Sequence, residues 1–255
     1  MITRVPARYA TFITIPLSHY CEKARWALDR TGIPYREEPH APLLHRLATR
    51  RHKGASVPIL VDEGQCIVDS TAILEHADAR CGGDWLYPRD PVLRQQVSAL
   101  EEQFDTQLGP HARRWAYLDL LSKPALLRSL WSRGVPKAEA LVMPLVVPLA
   151  RRLVRSAYKV TPDGARRSLE RVRESFRLVD ERLADGRRYL VGGRFSAADL
   201  TFAALAAPAL LPAECRAVHP AFDQLSDETR QAITGLRNTV AGRFALRLFA
   251  RERVA

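Results

Sequence analysis

The sequence predicts a small mixed α/β domain followed by an all-helical domain. Residues 10–80 read in the order strand, helix, strand, helix, strand, strand, helix, which is typical of a compact α/β layer with a mixed sheet. Beyond residue 91 the apolar residues of each periodic segment recur at helical spacing. Residues 85–91 contain two prolines and no periodicity, so we place a linker there, between domains at 8–84 and 92–255.

The first strand and the first helix meet at Ser18. Residues 10–14 form an apolar β-type run, and apolar residues at helical spacing then continue until Gly32 and Pro34 end the helix. The Ser18 hydroxyl and the unpaired N–H groups of the helix N-terminus would face the same volume, which favours an anion such as a thiolate. The alternative is that Ser18 only caps the helix, since serine is a favoured N-cap residue.

The remainder of the first domain contains a hairpin and a third helix. Residues 57–61 and 65–68 read as two strands joined by a short turn, and Asp69-Ser70 opens the next helix. This order places Cys66 in a strand that we expect to be central in the sheet. We therefore expect the Cys66 side chain to lie in the core.

The second domain is predicted to be helical throughout. The predicted helices cover 92–121, 124–134, 138–159, 162–184, 200–211 and 229–251. Pro144 and Pro148 are expected to kink the third of these helices. Ser196 and Asp199 have the spacing of a capping box, so they should stabilise the start of the helix that follows them.

Composition and cysteine usage narrow the class of protein. An apolar content of 47% is ample for a core and excludes a disordered chain. The longest apolar run, 140–150, is too short to span a bilayer. The four cysteines are too scattered for a disulfide framework, and no Cys/His spacing indicates a metal site. Because the N-terminus lacks the apolar core of a signal peptide, we expect a cytoplasmic protein with reduced thiols.

The formal net charge of +11 is carried almost entirely by residues beyond 85. Nucleic-acid binding usually brings a recognisable motif with such a charge, and the sequence contains no finger, no RNP-like aromatic pair and no helix-turn-helix. We therefore expect no nucleic-acid partner. An apolar stretch followed by arginines over 138–177 leaves open a peripheral contact with a membrane surface, against the simpler interpretation of core beside a solvated face.

Four features occur in order along nearly the whole chain. They are Ser18-His19-Tyr20-Cys21 at the first helix, Val57-Pro58 before a strand, Asp69-Ser70 at the third helix and Gly193-Arg194-Phe195-Ser196-Ala197-Ala198-Asp199 in the helical part. With these four features in this order, the chain resembles members of the cytosolic glutathione S-transferase superfamily that have a serine-type active site. The resemblance implies a thioredoxin-like N-terminal domain that binds glutathione, an all-helical C-terminal domain that supplies most of the electrophile pocket, and a homodimer.

The resemblance assigns the thiol chemistry to Ser18. Its hydroxyl would donate a hydrogen bond to the glutathione sulfur and so favour the thiolate, which is the nucleophile. Ser18 also replaces the first cysteine of a glutaredoxin-like CxxC motif, so a dithiol mechanism is excluded, and we expect Cys21 to be packed and inert. His19 stands where many relatives have proline. We expect it to be exposed, against the alternative that it tunes the thiolate.

The resemblance also assigns residues that bind the rest of glutathione. In Val57-Pro58 the proline would be cis and would turn the valine backbone toward the tripeptide. In Asp69-Ser70 the serine and the helix N-terminus would hold the γ-glutamyl carboxylate, and the aspartate would hold the ammonium group. Lys53, or His52 beside it, would face the glycine carboxylate, unless both are solvated loop residues.

The leading hypothesis is a glutathione transferase acting on a small hydrophobic electrophile, with a peroxide as an alternative acceptor of the same thiolate. The alternative is a non-catalytic protein of this fold that binds apolar ligands or a membrane surface. The sequence leaves the electrophile open. Residues that could form the wall of its pocket are Trp115, Tyr117, Trp131, Met143 and Tyr158.

Overall fold

The computed structural model describes residues 9–52, 54 and 56–253 of the chain. Its N-terminal domain alternates strands and helices as the sequence predicts. The elements are β1 (Ala10–Thr14), α1 (His19–Thr31), β2 (Tyr35–Pro39), α2 (His45–Thr49), β3 (Ile59–Asp62), β4 (Gln65–Val68) and α3 (Ser70–Arg80). A 3-10 turn, Arg50–His52, continues directly from α2.

The strands β1–β4 form one mixed sheet in the order β2-β1-β3-β4. β1 pairs with β2 in parallel, and the other two pairings are antiparallel. The expectation that Cys66 lies in a central strand is wrong. Its strand, β4, is at the edge of the sheet and the side chain is exposed, because a hairpin motif alone does not say which of its strands lies outermost.

The C-terminal domain is helical. Its helices are α4 (Pro91–Gln103), α5 (Gly109–Ser122), α6 (Pro124–Ser132), α7 (Lys137–Ala157), α8 (Pro162–Arg182), α9 (Ala197–Leu210), α10 (Asp227–Arg237) and α11 (Val240–Glu252). A π-helical turn, Phe104–Leu108, joins α4 to α5. No helix in the described ranges is long and apolar enough to cross a membrane.

Two predicted helices are divided in the structure. The π-helical turn interrupts the segment predicted as one helix over 92–121. The segment 229–251 is split because Thr239 begins a new helix, its hydroxyl accepting a hydrogen bond from Gly242 N at 2.9 Å. Pro144 and Pro148, in contrast, lie inside a continuous α7.

The capping box at the start of α9 is confirmed. The Asp199 carboxylate accepts hydrogen bonds from the Ser196 N–H and hydroxyl, both at 2.9 Å, and from the Leu190 N–H at 2.8 Å. Burial raises the pKa of Asp199 to about 6, against these hydrogen bonds, which favour the charged form. The helix that follows is almost wholly buried, so this motif anchors the centre of the C-terminal domain.

Buried polar contacts fix α1 against the helical domain. The Lys23 ammonium is fully buried and lies 2.5 Å from Asp105 and 2.9 Å from Glu101. Three residues further along α1, the Trp26 indole N–H donates to the Glu252 carbonyl at 3.1 Å. Because a buried charge is strongly destabilising without its partners, these contacts hold α1, and with it Ser18, in one position relative to the second domain.

Candidate functional site

The ends of three strands meet at one edge of the sheet. Ile13, near the end of β1, pairs with Ile59 at the start of β3, which pairs in turn with Val68 at the end of β4. Antiparallel pairing therefore places the segments that follow β1, precede β3 and follow β4 side by side. These are the segments that contain Ser18, Val57-Pro58 and Asp69-Ser70.

Ser18 begins α1 and faces a cavity. Its backbone is extended, and its hydroxyl oxygen accepts a hydrogen bond from Cys21 N at 3.3 Å. A serine hydroxyl has one proton to donate as well as two lone pairs, so it can donate to a group in the cavity while it caps the helix. The two interpretations of Ser18, as a cap and as a donor, are therefore compatible in this geometry.

The peptide bond between Val57 and Pro58 is cis, as predicted. Strand pairing begins only at Ile59, so the backbone N–H and C=O of Val57 lie outside the ladder. Val57 also lines the cavity that Ser18 faces. A backbone donor and acceptor at this position can pair with an extended peptide ligand.

Asp69 and Ser70 form the start of α3. The Asp69 carboxylate accepts the Thr71 N–H at 2.8 Å, and the residue has a φ of +90°, a conformation that costs a non-glycine residue on the order of 1–3 kcal/mol. Asp69 is exposed and Ser70 is buried. Pro58, Asp69 and Ser70 share the sheet edge with Ser18 but are not among the described residues that line the cavity.

The two predicted partners of the glycine carboxylate are placed differently. His52 ends the 3-10 turn, is half-buried, and accepts the Cys66 thiol on its carbonyl at 3.5 Å. It does not line the described cavity, where His45 and Arg46 of α2 are found instead. Lys53 lies outside the described residues.

The cavity has a volume of about 530 Å³ and lies between the two domains. The sheet domain contributes the segment around Ser18 and the loops that contain α2 and Val57, while the helical domain contributes α5, the end of α7 and the loop before α10. Of the predicted wall residues, Trp115, Tyr117 and Tyr158 line it.

The other two predicted wall residues are not in the wall. Trp131 on α6 and Met143 on α7 are buried in a hydrophobic cluster behind the wall, against which the wall residues Tyr117 and Tyr158 pack. This cluster lies where α6 and α7 pack together. An apolar side chain on an amphipathic helix carries no local sign of whether it faces a core or a ligand, which is why the sequence did not separate the two groups.

The expectation that His19 is exposed is wrong. Its side chain is buried, and its Nε2 lies 3.1 Å from the Gly109 carbonyl, so this nitrogen carries the proton. Burial lowers the pKa of His19 to about 3, with a further contribution from the positive charge of Arg113. His19 is therefore neutral near pH 7.

The cysteines in the described part of the chain are all free thiols. Cys21 is fully buried and burial raises its pKa to about 11, which confirms that it is packed and keeps it protonated at neutral pH. Among the described residues no cluster of His, Cys, Asp or Glu could hold a metal ion.

Tyr20, Arg113 and His219 also line the cavity, and the sequence did not identify them as wall residues. Tyr20 donates its hydroxyl to the Asp105 carbonyl at 3.0 Å. Arg113 lies on α5, and His219 is brought in by the Val218 N–H, which donates to the Pro16 carbonyl at 2.9 Å. These contacts join residues 85 or more positions apart in the chain, so no local pattern could have revealed them.

Two family models match this chain. The N-terminal domain of glutathione S-transferase matches residues 12–85, and the C-terminal domain of glutathione S-transferase matches residues 162–236. Together they cover more than half of the chain. A probable glutathione S-transferase of Solanum tuberosum is 32% identical over 130 residues, which are 49% of this chain and 50% of that relative. The match thus spans only about half the length of the curated relative.

Solved structures of the same fold cover nearly the whole chain. A glutathione S-transferase of Ceriporiopsis subvermispora in complex with glutathione superposes with a TM-score of 0.67 at 19% identity, over 97% of this chain and 99% of that one. Ure2p in complex with S-hexylglutathione superposes with a TM-score of 0.58 at 17% identity, over 95% and 100%. At such identities the likeness shows the fold alone, and it confirms the predicted fold class.

Proposed function

The chain belongs to the glutathione S-transferase superfamily, and we propose that it is a glutathione transferase that ionises the glutathione thiol at Ser18. The observation that carries this proposal is the placement of the Ser18 hydroxyl at the N-terminus of α1, in the wall of a cavity between the domains. A hydrogen-bond donor beside the positive end of a helix dipole favours a thiolate over a thiol. The nucleophile would thereby be available at neutral pH.

In this proposal the sheet edge holds the remainder of glutathione. The backbone groups of Val57, which lie outside the strand ladder beside cis-Pro58, would pair with the cysteinyl backbone of the tripeptide. Ser70 and the N-terminus of α3 would bind the γ-glutamyl carboxylate, with Asp69 on its ammonium group. We keep His52 and Lys53 as the proposed partners of the glycine carboxylate.

The reaction would be attack of the thiolate on a small hydrophobic electrophile held by the helical domain. With an aryl halide the sulfur forms a C–S bond and the halide leaves with the electron pair. The same thiolate can attack a hydroperoxide: the O–O bond breaks, one oxygen goes to sulfur, the alkoxide leaves, and a second glutathione then forms the disulfide with release of water. Peroxidase activity is therefore part of the proposal. A cytoplasmic location fits this chemistry, because the cytoplasm maintains glutathione in its reduced form.

Turnover of a panel of electrophiles and hydroperoxides, with and without glutathione, tests the proposal. We expect glutathione-dependent turnover of at least one of them, together with saturable glutathione binding in calorimetry. Binding without turnover of any compound would instead support the non-catalytic alternative, a protein of this fold that only binds ligands. Absence of both glutathione binding and turnover would reject the transferase.

A second candidate function is contact with an anionic membrane surface, and a row of exposed leucines on α7 favours it. Leu141, Leu145 and Leu149 recur every four residues and are 81%, 84% and 58% exposed. The exposed Arg152 and Arg155 follow on the same helix. A helix face that combines apolar and basic residues can lie at an anionic lipid surface.

Sedimentation with lipid vesicles tests this second candidate. The protein should sediment with vesicles that contain phosphatidylserine and much less with pure phosphatidylcholine, and the double variant Leu141→Ser/Leu145→Ser should lose binding. Equal sedimentation of the variant would reject α7 as the lipid contact. A change in oligomeric mass on this substitution, with no vesicle binding by the parent protein, would assign the row to a contact between copies.

A further inference from the structure

The cavity contains a cation with no counter-ion among the described residues. Arg113 lies on α5 and lines the cavity from the helical domain. Its Nε is buried and has no hydrogen-bond partner in the described part of the chain. Its guanidinium carbon lies 4.0 Å from the centre of the Tyr158 ring and 5.7 Å from that of Tyr20, so aromatic faces surround it where a carboxylate would usually be found.

The described wall of the cavity is positive overall, since it contains no Asp or Glu. Three histidines line it, and burial lowers the pKa of each: to about 3 for His19 and about 4 for His45 and His219. They are therefore neutral near pH 7, which leaves Arg46 and Arg113 as the charged groups of the described wall. A cleft with charges of one sign attracts ligands of the other.

The two arginines belong to different walls. Arg46 lies on α2, in the sheet domain that is proposed to bind glutathione. Arg113 lies on the opposite wall with Trp115, Tyr117 and Tyr158, where the second substrate is proposed to bind. An anion placed near Arg113 would therefore be part of the second substrate.

We propose that Arg113 binds a carboxylate or similar anionic group on the second substrate, so that the preferred electrophile is an aromatic or apolar acid. This inference rests on the proposed transferase function. The guanidinium fork offers parallel N–H donors to a planar carboxylate, and no carboxylate of the described wall competes for them. The surrounding aromatic side chains would contact the apolar body of the same ligand.

Equilibrium binding of an unreactive pair of probes tests the inference. The probes are dinitrobenzoate and its neutral methyl ester, measured by calorimetry with the protein saturated in glutathione. Arg113→Met, which keeps most of the apolar stem, should weaken binding of the acid by about tenfold or more and of the ester by about twofold at most. Arg113→Lys retains the charge and should recover part of the affinity for the acid.

Arg46→Met is the matched control, since it removes the same charge from the opposite wall of the cavity. It should leave the ratio of acid affinity to ester affinity unchanged. An equal fall of this ratio in both variants would overturn the proposal, because it would show that any positive charge in the cavity favours the acid without a specific contact. If Arg113→Met weakens binding of the acid and of the ester equally, the proposal is overturned and Arg113 has a structural role. If Arg113→Met weakens glutathione binding and leaves the ratio of acid affinity to ester affinity unchanged, the proposal is overturned and Arg113 binds glutathione.

Turnover separates this inference from the proposed function. The neutral methyl ester of chlorodinitrobenzoate should react with glutathione in the wild-type protein if the protein is a transferase. Absence of turnover of the ester, of the acid and of every compound of the panel would reject the transferase, while the calorimetric ratio would still decide whether Arg113 recognises an anion. Turnover of the ester without the expected preference for the acid would reject the Arg113 proposal alone.

Discussion

His19 is a neutral, buried histidine directly after the proposed catalytic serine. Its Nε2–H donates to the Gly109 carbonyl, and the ring packs 4.5 Å from that of Tyr20. Protonation would place a second positive charge near Arg113 in a desolvated site, which is why its pKa is lowered to about 3. His19 therefore stabilises the fold only while it is uncharged.

This burial predicts a loss of stability in acid. The unfolded state binds a proton on His19 below about pH 6.5, whereas the folded state does so only near pH 3, so stability falls as pH is lowered through this window. At pH 5 the neutral state of His19 costs the protein about 2 kcal/mol of its free energy of unfolding, relative to neutral pH. The His19→Gln variant has no titrating group at this position. In urea unfolding, its free energy of unfolding should fall between pH 7 and pH 5 by about this amount less than that of the parent protein.

Two other buried histidines, His45 and His219, also have lowered pKa values and are present in both the parent protein and the variant. The comparison of the two proteins therefore controls for their effect on stability in acid. Their contribution to the acid destabilisation should therefore be common to the two curves. Parallel curves for parent and variant would show that His19 is not the buried titrating group.

At the scale of the elements, the π-helical turn between α4 and α5 connects the helical domain to the start of α1. Within this turn the Asp105 carbonyl accepts a hydrogen bond from the Tyr20 hydroxyl. Directly after the turn, the Gly109 carbonyl accepts a hydrogen bond from His19 Nε2. A Cβ on Gly109 would lie 2.2 Å from the Tyr20 hydroxyl and 2.7 Å from its ring, closer than any tolerated contact. This glycine is therefore required for the close approach of the two domains beside the site.

Gly109→Ala should accordingly destabilise the protein by roughly 1–3 kcal/mol in urea unfolding, because Tyr20 must leave its hydrogen bond. Gly235→Ala in α10 is the matched control. A Cβ there meets no atom within 4 Å, so the helix propensity of alanine should raise stability by about 0.5–1 kcal/mol. The same sign of change in both variants would contradict the proposed clash.

Helix starts were predictable from the sequence where the capping residues are local. Ser196 and Asp199 lie three positions apart and identify the start of α9 without any tertiary information. The π-helical turn has no comparable signal, because the contacts that use it come from Tyr20 and Lys23, some eighty positions away. The interruption of the helix predicted over 92–121 could therefore be seen only in the structure.

At the scale of the whole molecule, we propose a homodimer, in keeping with the family. Trp85 and Val92 are 52% and 63% exposed where the chain passes from one domain to the other, and we propose that a second copy covers them. Light scattering at micromolar protein should give about twice the chain mass of 28.7 kDa. A mass of one chain would contradict the dimer.

In the candidate site, as in the fold, some parts could be predicted from the sequence and others could not. Ser18, Val57-Pro58 and Asp69-Ser70 are short motifs, and the family resemblance that they carry assigned them to one site even though the strand order was not predicted correctly. Arg113 and His219 reach the cavity only through the packing of helices distant in the chain. The proposed glutathione half of the site was therefore largely predictable, and the half proposed for the second substrate was not.

The pH dependence of turnover in Ser18→Ala tests the central claim most directly. One hydrogen bond to a charged group contributes roughly 1.5–3 kcal/mol, which corresponds to about one to two pKa units on bound glutathione. The account predicts that the pH–rate profile of Ser18→Ala moves up by about this amount, with slower turnover at neutral pH and nearly unchanged glutathione affinity, while Cys21→Ala keeps the parental profile. An unmoved profile and undiminished rate in Ser18→Ala would contradict the account.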